Sequence, residues 1–139
     1  MQLGFYEIGT RNEEELTFAV VHAIYRDKWV YVKHKERTTW EIPGGHREVG
    51  EEIKKTAERE LFEETGAIRS EIIPICDYSM DHSSEKTFGR LYFANIFELG
   101  QLPDSEIKDV QFFDSLPENL TYAKIQPQLY EKTMEFLGL

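Results

Sequence analysis

The chain has 139 residues, 40% of them hydrophobic and 30% charged, and carries a formal net charge of -10. That length suits one domain, 1–139, burying roughly two thirds of the surface an unfolded chain exposes. The acidic balance excludes a duplex nucleic-acid binder, since it repels a phosphate backbone, and no apolar run approaches the ~20 residues of a membrane span.

The N-terminus, Met1-Gln-Leu-Gly-Phe-Tyr-Glu, lacks the basic-then-apolar order of a signal peptide. The single cysteine, Cys76, makes no internal disulfide, which agrees with a cytoplasmic protein. A negative chain also repels a phosphorylated small molecule, unless clustered carboxylates hold cations that invert the local sign.

In chain order, residues 16–25 are rich in β-branched and aromatic types and predict a strand. Arg26-Asp27-Lys28 predicts a tight turn, and 29–35 the partner strand. Residues 36–39 form a polar loop. Trp40-Glu-Ile42 is extended, because Pro43 disfavours helix before it, and Gly44-Gly45 offers backbone angles other residues resist. The clearest helix covers 51–65. Gly50 is its expected N-cap, Glu51 and Glu52 suit its positive end, Ile53, Ala57 and Leu61 make its core stripe, and Gly66 stops it. Strands follow at 68–78 and 87–98, with a polar and mobile loop over 77–86. A loop over 100–109, a short strand at 110–113 and a helix from Pro127 to Leu137, stopped at Gly138, complete the chain. This order predicts an α/β (α+β) fold, a mixed β-sheet sandwiched between helices.

Glu60, Glu63 and Glu64 are three and four residues apart, so they share a helix face within an arc of about 100°. Like charges at that spacing cost ~0.2–0.5 kcal/mol per pair. A bound divalent cation turns that repulsion into coordination. Arg59 stands beside them to hold a carboxylate through two parallel hydrogen bonds.

The spacing around these residues is the stronger signal. Gly45 is followed by five residues and Glu51, then by seven and Arg59-Glu60-Leu61, any residue, Glu63-Glu64, any residue and Gly66. The segment 45–67 resembles the Nudix box, the signature of enzymes that hydrolyse a nucleoside diphosphate linked to another moiety. It departs only at Ala67, where the family usually has a branched aliphatic. Trp40-Glu-Ile-Pro-Gly-Gly45 resembles the family's entry into the box.

The resemblance implies a Nudix fold and a Mg²⁺-dependent (or Mn²⁺-dependent) pyrophosphohydrolase. Glu60 and Glu64 would be the principal metal ligands, with Glu63 sharing metal or taking a proton, and the Gly44 carbonyl would complete the inner shell. Arg59 would orient Glu60 and Glu63, and Glu51 would be a structural helix-start residue. A later loop would add Glu106, with Asp104 second in line. Water would attack phosphorus, with Glu60, Glu63 or Glu106 as candidate bases.

For substrate contacts the expectations are Lys35, Lys86 and Arg90 on phosphate or base. Trp40, Phe88 and Tyr92 are stacking candidates that double as core residues. Asn119, in a segment similar to the one where MutT-like members place a base-reading asparagine, would contact a purine. None of the four histidines has a zinc-like spacing, and Cys76 reads as buried and apolar. The downstream marks of ADP-ribose and dinucleoside-polyphosphate subfamilies are missing. By elimination the chain resembles the MutT-like members, and that resemblance implies a purine nucleoside triphosphate as substrate, oxidised ones such as 8-oxo-dGTP included. The alternatives are another diphosphate (an RNA 5′ end, a nucleotide sugar or ADP-ribose), the RNA version requiring Lys33, Lys35, Lys86 and Arg90 to form one patch, and a non-catalytic nucleotide-binding module.

Overall fold

The run of β-branched and aromatic residues after Leu16 folds as a ten-residue strand whose alternate side chains part to opposite faces. The computed structural model describes residues 2–139; Met1, where the expected domain begins, lies outside the described residues. In chain order the elements are β1 (Gln2–Tyr6), a 3-10 turn (Glu13–Glu15), β2 (Leu16–Tyr25), β3 (Lys28–His34), β4 (Gly44–His46), α1 (Ile53–Thr65), β5 (Ala67–His82), β6 (Glu85–Leu99), β7 (Ile107–Phe113) and α2 (Gln126–Leu137).

The strands form one mixed sheet in the order β1-β5-β6-β2-β3-β7, with β4 paired to β2. Among the described strands only β2 and β6 pair in parallel; the other strand pairings are antiparallel. Ala19, Val21 and Ala23 of β2 point to one face, where Ile53, Ala57 and Leu61 of α1 close the core. Val20 points to the other face and packs with Leu91, Tyr78 and Leu129 of α2. Farther along that face Trp29, Tyr31 and Phe93 meet Tyr130 and Met134 of α2. The expected layering of a mixed sheet between helices is therefore present, and the helix stripe expected from the sequence is the one that is buried.

Several local expectations need correction. Residues 77–86 are not a mobile loop: β5 and β6 continue through them as a hairpin paired from Ala67↔Leu99 to His82↔Glu85. The polarity that suggested a loop belongs partly to Asp77, which is fully buried and bonded to Arg90. Helix α1 begins at Ile53, with Glu52 as N-cap, so Gly50 and Glu51 precede it. Strand β7 starts at Ile107, three residues before expectation. Gly44 and Gly45 lie in ordinary extended backbone within β4; space, not backbone freedom, requires them. Strand β1 and the 3-10 turn carried no expectation. The β2–β3 turn uses positive φ at Arg26 (50°) and Asp27 (66°), as a two-residue hairpin loop needs, and Gly66 ends α1 in the left-handed region.

Candidate active site

Strand β4 runs beside α1, and the two are joined through the acidic face of the helix. The Gly44 N–H donates to Glu64 Oε1 at 3.0 Å. A Cβ on Gly44 would lie 2.5 Å from the Ala19 carbonyl oxygen, and a Cβ on Gly45 would collide with the Glu60 carboxylate. Glycine at 44 lets β4 lie close against β2, and glycine at 45 lets the Glu60 carboxylate rest directly on the strand.

Arg59 fixes the start of the helix to the same face. Its Nε and Nη2 donate to the two Glu51 oxygens at 2.8 and 3.0 Å, and Nη2 also donates to the His46 carbonyl at 2.9 Å. Its Nη1 donates to Glu63 at 3.2 Å and lies 3.5 Å from Glu60. The expected partners Glu60 and Glu63 are thus met, but the two-pronged pair goes to Glu51. That pairing holds the Glu51 carboxyl down at about 2. Glu51 also accepts from the Thr56 hydroxyl at 2.7 Å, which makes it the clasp of the helix start.

The other two carboxylates shift the opposite way. Burial, partly offset by Arg59 and reinforced by Glu63, raises Glu60 to about 7. Burial raises Glu64 to about 8 despite the Gly44 N–H, with Glu60, Glu41 and Glu106 adding repulsion. Glu64 is only 8% exposed. Buried carboxylates whose charge is resisted by their neighbours and by burial match an oxygen donor set for a hard divalent cation. Among the described residues no three acidic or histidine side chains converge tightly enough to enclose an ion as they stand.

The helix face opens into a cavity of about 980 Å³. One end is acidic, lined by Glu60, Glu63, Glu64 and, from the loop before β7, Asp104 and Glu106. Another wall is apolar and contains Phe18, Val20, Ile42, Tyr78, Met80 and Leu129. Between them stands His34, with Nε2 3.2 Å from buried Glu41 and 4.0 Å from Glu64, and Nδ1 3.8 Å from Glu106. Such a space accommodates a phosphate group at the acidic end and a flat apolar ring along the other wall.

The expected substrate contacts fare differently. Lys35, Lys86, Arg90 and Asn119 are not among the cavity-lining residues. Lys35 lies 3.5 Å from Asp104, and Lys86 lies 3.7 Å from Asp81 near the hairpin tip. Arg90 is held by both oxygens of buried Asp77, at 2.6 and 3.2 Å. Lys33 lies over the Trp40 ring. Each of the four cations thus has an acidic or aromatic neighbour of its own. Asn119 has φ 62° and donates from Nδ2 to the Thr38 carbonyl, so it shapes a turn. Of the ring candidates, Phe88 borders the cavity, whereas Tyr92 is buried in the core. Cys76 is buried and its thiol pushed up to about 11. Sequence reasoning missed Arg37, Glu41 and Tyr122, which meet at the cavity wall. Arg37 Nη1 donates to Glu41 at 2.6 Å and to the Tyr122 hydroxyl at 3.3 Å. Arg37 and Tyr122 are 85 residues apart, and no local pattern links them.

Known proteins share the family signature and the fold. The NUDIX domain model matches residues 15–133. The chain is 35% identical over 98 residues to YtkD of Bacillus subtilis (strain 168), whose name assigns it 8-oxo-dGTP diphosphatase activity provisionally. That alignment takes in 70% of this chain and 61% of YtkD. It is 42% identical over 57 residues to mouse nucleoside diphosphate-linked moiety X motif 6, covering 41% of this chain and 18% of that protein. The chain thus spans about three fifths of the first relative and under one fifth of the second. The crystal structure of the Bacillus subtilis pyrophosphohydrolase BsRppH superposes with a TM-score of 0.81 at 26% identity, covering 96% of this chain and 89% of that one. With the box residues gathered on α1 and β4 and a family match over most of its length, the chain belongs to the NUDIX domain family.

Proposed function

We propose that the protein is a Mg²⁺-dependent pyrophosphohydrolase, with Mn²⁺ as a substitute, that cleaves purine nucleoside triphosphates, oxidised ones included, to monophosphate and pyrophosphate. The observation that carries this reading is one cavity with three helix carboxylates at its acidic end and an apolar wall beside them. The relative named for 8-oxo-dGTP supports the substrate class.

In this reading Glu60, Glu64, Glu63 and the Gly44 carbonyl would hold the metal, with Glu106 joining from its loop. The metal would supply Lewis acidity and charge neutralisation at the phosphate oxygens. The protein's own work is to position. Arg59 holds Glu63 and Glu51, so the helix face keeps its orientation under repulsion. A carboxylate of the set, Glu60, Glu63 or Glu106, takes the proton of the attacking water. The apolar wall excludes water and receives the base. Lys35, whose partner Asp104 lines the cavity, stays in the proposed substrate set together with Lys86, Arg90 and Asn119, which lie outside the lining. The domain comprises 1–139, and among the described residues no helix is long and apolar enough to cross a membrane; a cytoplasmic site of action is part of the proposal.

The test is hydrolysis of a panel of nucleotides and diphosphate conjugates with Mg²⁺ or Mn²⁺, with both products identified. Monophosphate plus pyrophosphate from one purine triphosphate, far above the rest, is the expected result, and Glu64→Gln should abolish it. Preference for a different diphosphate keeps the chemistry and replaces the substrate. The structural likeness to a pyrophosphohydrolase, BsRppH, favours that second reading over a non-catalytic module.

A further inference from the structure

Three guanidinium groups line the cavity: Arg37, Arg47 and Arg59. Two of them are spent. Arg47 donates Nε, Nη1 and Nη2 to the carbonyls of Leu16, Glu51 and Glu14. Arg59 commits all three nitrogens to Glu51, Glu63 and His46. Arg37 engages only Nη1, and its Nε and Nη2 donate to nothing among the described residues. Its side chain is 45% exposed. No lysine lines the cavity.

A diphosphate or triphosphate brings more negative charge than a metal at one end neutralises, into a cavity whose walls carry several carboxylates. The phosphoryl group beyond the metal needs its own cation, and Arg37 is the one lining cation with donors to spare. A guanidinium edge fits two oxygens of a phosphate, which a lysine's point charge does not reproduce. The side chain is also pre-set for the task. The buried Glu41 carboxylate and the Tyr122 hydroxyl grip Nη1 from two sides, leaving the Nε–Nη2 edge uncommitted. Glu41 touches His34, which in turn lies 4.0 Å from Glu64, so Arg37 stands on the same wall as the metal carboxylates but removed from them.

We infer that Arg37, steadied by Glu41 and Tyr122, is the residue that binds the phosphoryl group of the substrate lying beyond the metal. This rests on the proposed triphosphate reading, and it sets preference by the number of phosphates, while the chemical step is left to α1.

The experiment measures steady-state kinetics on the preferred nucleoside triphosphate and its diphosphate for the wild type, Arg37→Gln, Arg37→Lys and Arg37→Gln/Glu41→Gln. It adds calorimetric binding of an α,β-methylene nucleoside triphosphate with Mg²⁺. Arg37→Gln should raise KM for the triphosphate and weaken analogue binding about ten- to hundredfold, the effect of losing a charged hydrogen bond. The value of kcat should stay within about threefold. Arg37→Lys should recover only part of the loss. The double variant should stay weak, which removes the objection that an orphaned Glu41 charge causes the defect. Unchanged KM and unchanged binding in a folded Arg37→Gln protein overturn the assignment, as does a fall in kcat alone. If the wild type neither cleaves nor binds any triphosphate, the triphosphate reading fails and this inference with it. If it cleaves triphosphates and Arg37→Gln does so equally well, only the inference fails.

Discussion

Replacing Glu64 by glutamine should make the metal-free protein more stable while removing its activity. Glu64 is 8% exposed, and burial raises its carboxyl from 4.5 to about 8. The unfolded chain releases that proton near 4.5, whereas the folded chain keeps it. Between those values the folded state binds more protons, so stability is full below 4.5 and declines as pH rises towards 8. At 1.36 kcal/mol per unit, the span from 4.5 to 7 amounts to about 3 kcal/mol and that from 4.5 to 5 to under about 1 kcal/mol. Glutamine carries no charge and keeps an oxygen for the Gly44 N–H, which Glu64 accepts at 3.0 Å. Urea unfolding in EDTA should therefore show Glu64→Gln ahead of the wild type by a margin that grows from pH 5 to pH 7. Saturating Mg²⁺ should restore the wild type and do little for the variant. A margin that is flat with pH, or a variant less stable at pH 7 than at pH 5 relative to the wild type, would refute the buried-charge argument.

Gly45→Ala drives a methyl group into the Glu60 carboxylate; because that side chain can swing away, thermal unfolding should shift by under about 1 kcal/mol while kcat drops sharply, and an unchanged kcat would contradict the placement of Glu60. Arg59→Met strands Glu51, whose carboxyl the arginine holds at about 2. Stability at pH 7 should fall by about 1–3 kcal/mol, and the loss should shrink below pH 4.5 as the stranded carboxyl takes up a proton. His22 is fully buried and its imidazole is lowered to about 3, so its neutral form is stabilising above 6.5 and that support is lost as pH falls towards 3. Relative to His22→Phe, the wild type should lose about 2 kcal/mol between pH 6.5 and 5 in denaturant titrations; parallel pH profiles would contradict this.

The sequence reveals α1 because its signals are local: a stripe at Ile53, Ala57 and Leu61, a left-handed stop at Gly66, and carboxylates sharing one face. It reveals β2 and β3 for the same reason, since two runs of β-branched and aromatic residues lie on either side of a short turn. Strand β1 is hidden by its shortness and by Gly4, and it is a strand only because Gln2–Tyr6 finds residues 77–81 of β5 as a partner. The hairpin tip is hidden for a different reason: its pairing is local, down to His82↔Glu85, but its polar residues look like a loop. The cations were legible as charges but not as free charges. Arg90 looked available, and its availability depends on Asp77, which the fold buries beside it. Arg37 looked like an ordinary loop residue, and only the arrival of Tyr122 from the far end of the chain makes it part of the cavity wall.

The parallel join of β2 to β6 also governs when the site exists. It brings Leu16 against Phe88 and Tyr25 against Ile96, more than 70 residues along the chain, and the whole segment from β4 through α1 is enclosed in the loop that this join closes. The β5–β6 hairpin zips from its own turn and needs no distant partner, so it suits an early folding step. Closing the loop costs chain entropy before any contact repays it. A growing chain thus holds all its box residues before β2 gains β6 as its parallel neighbour, and the full sheet under α1 is complete only after β6 has emerged.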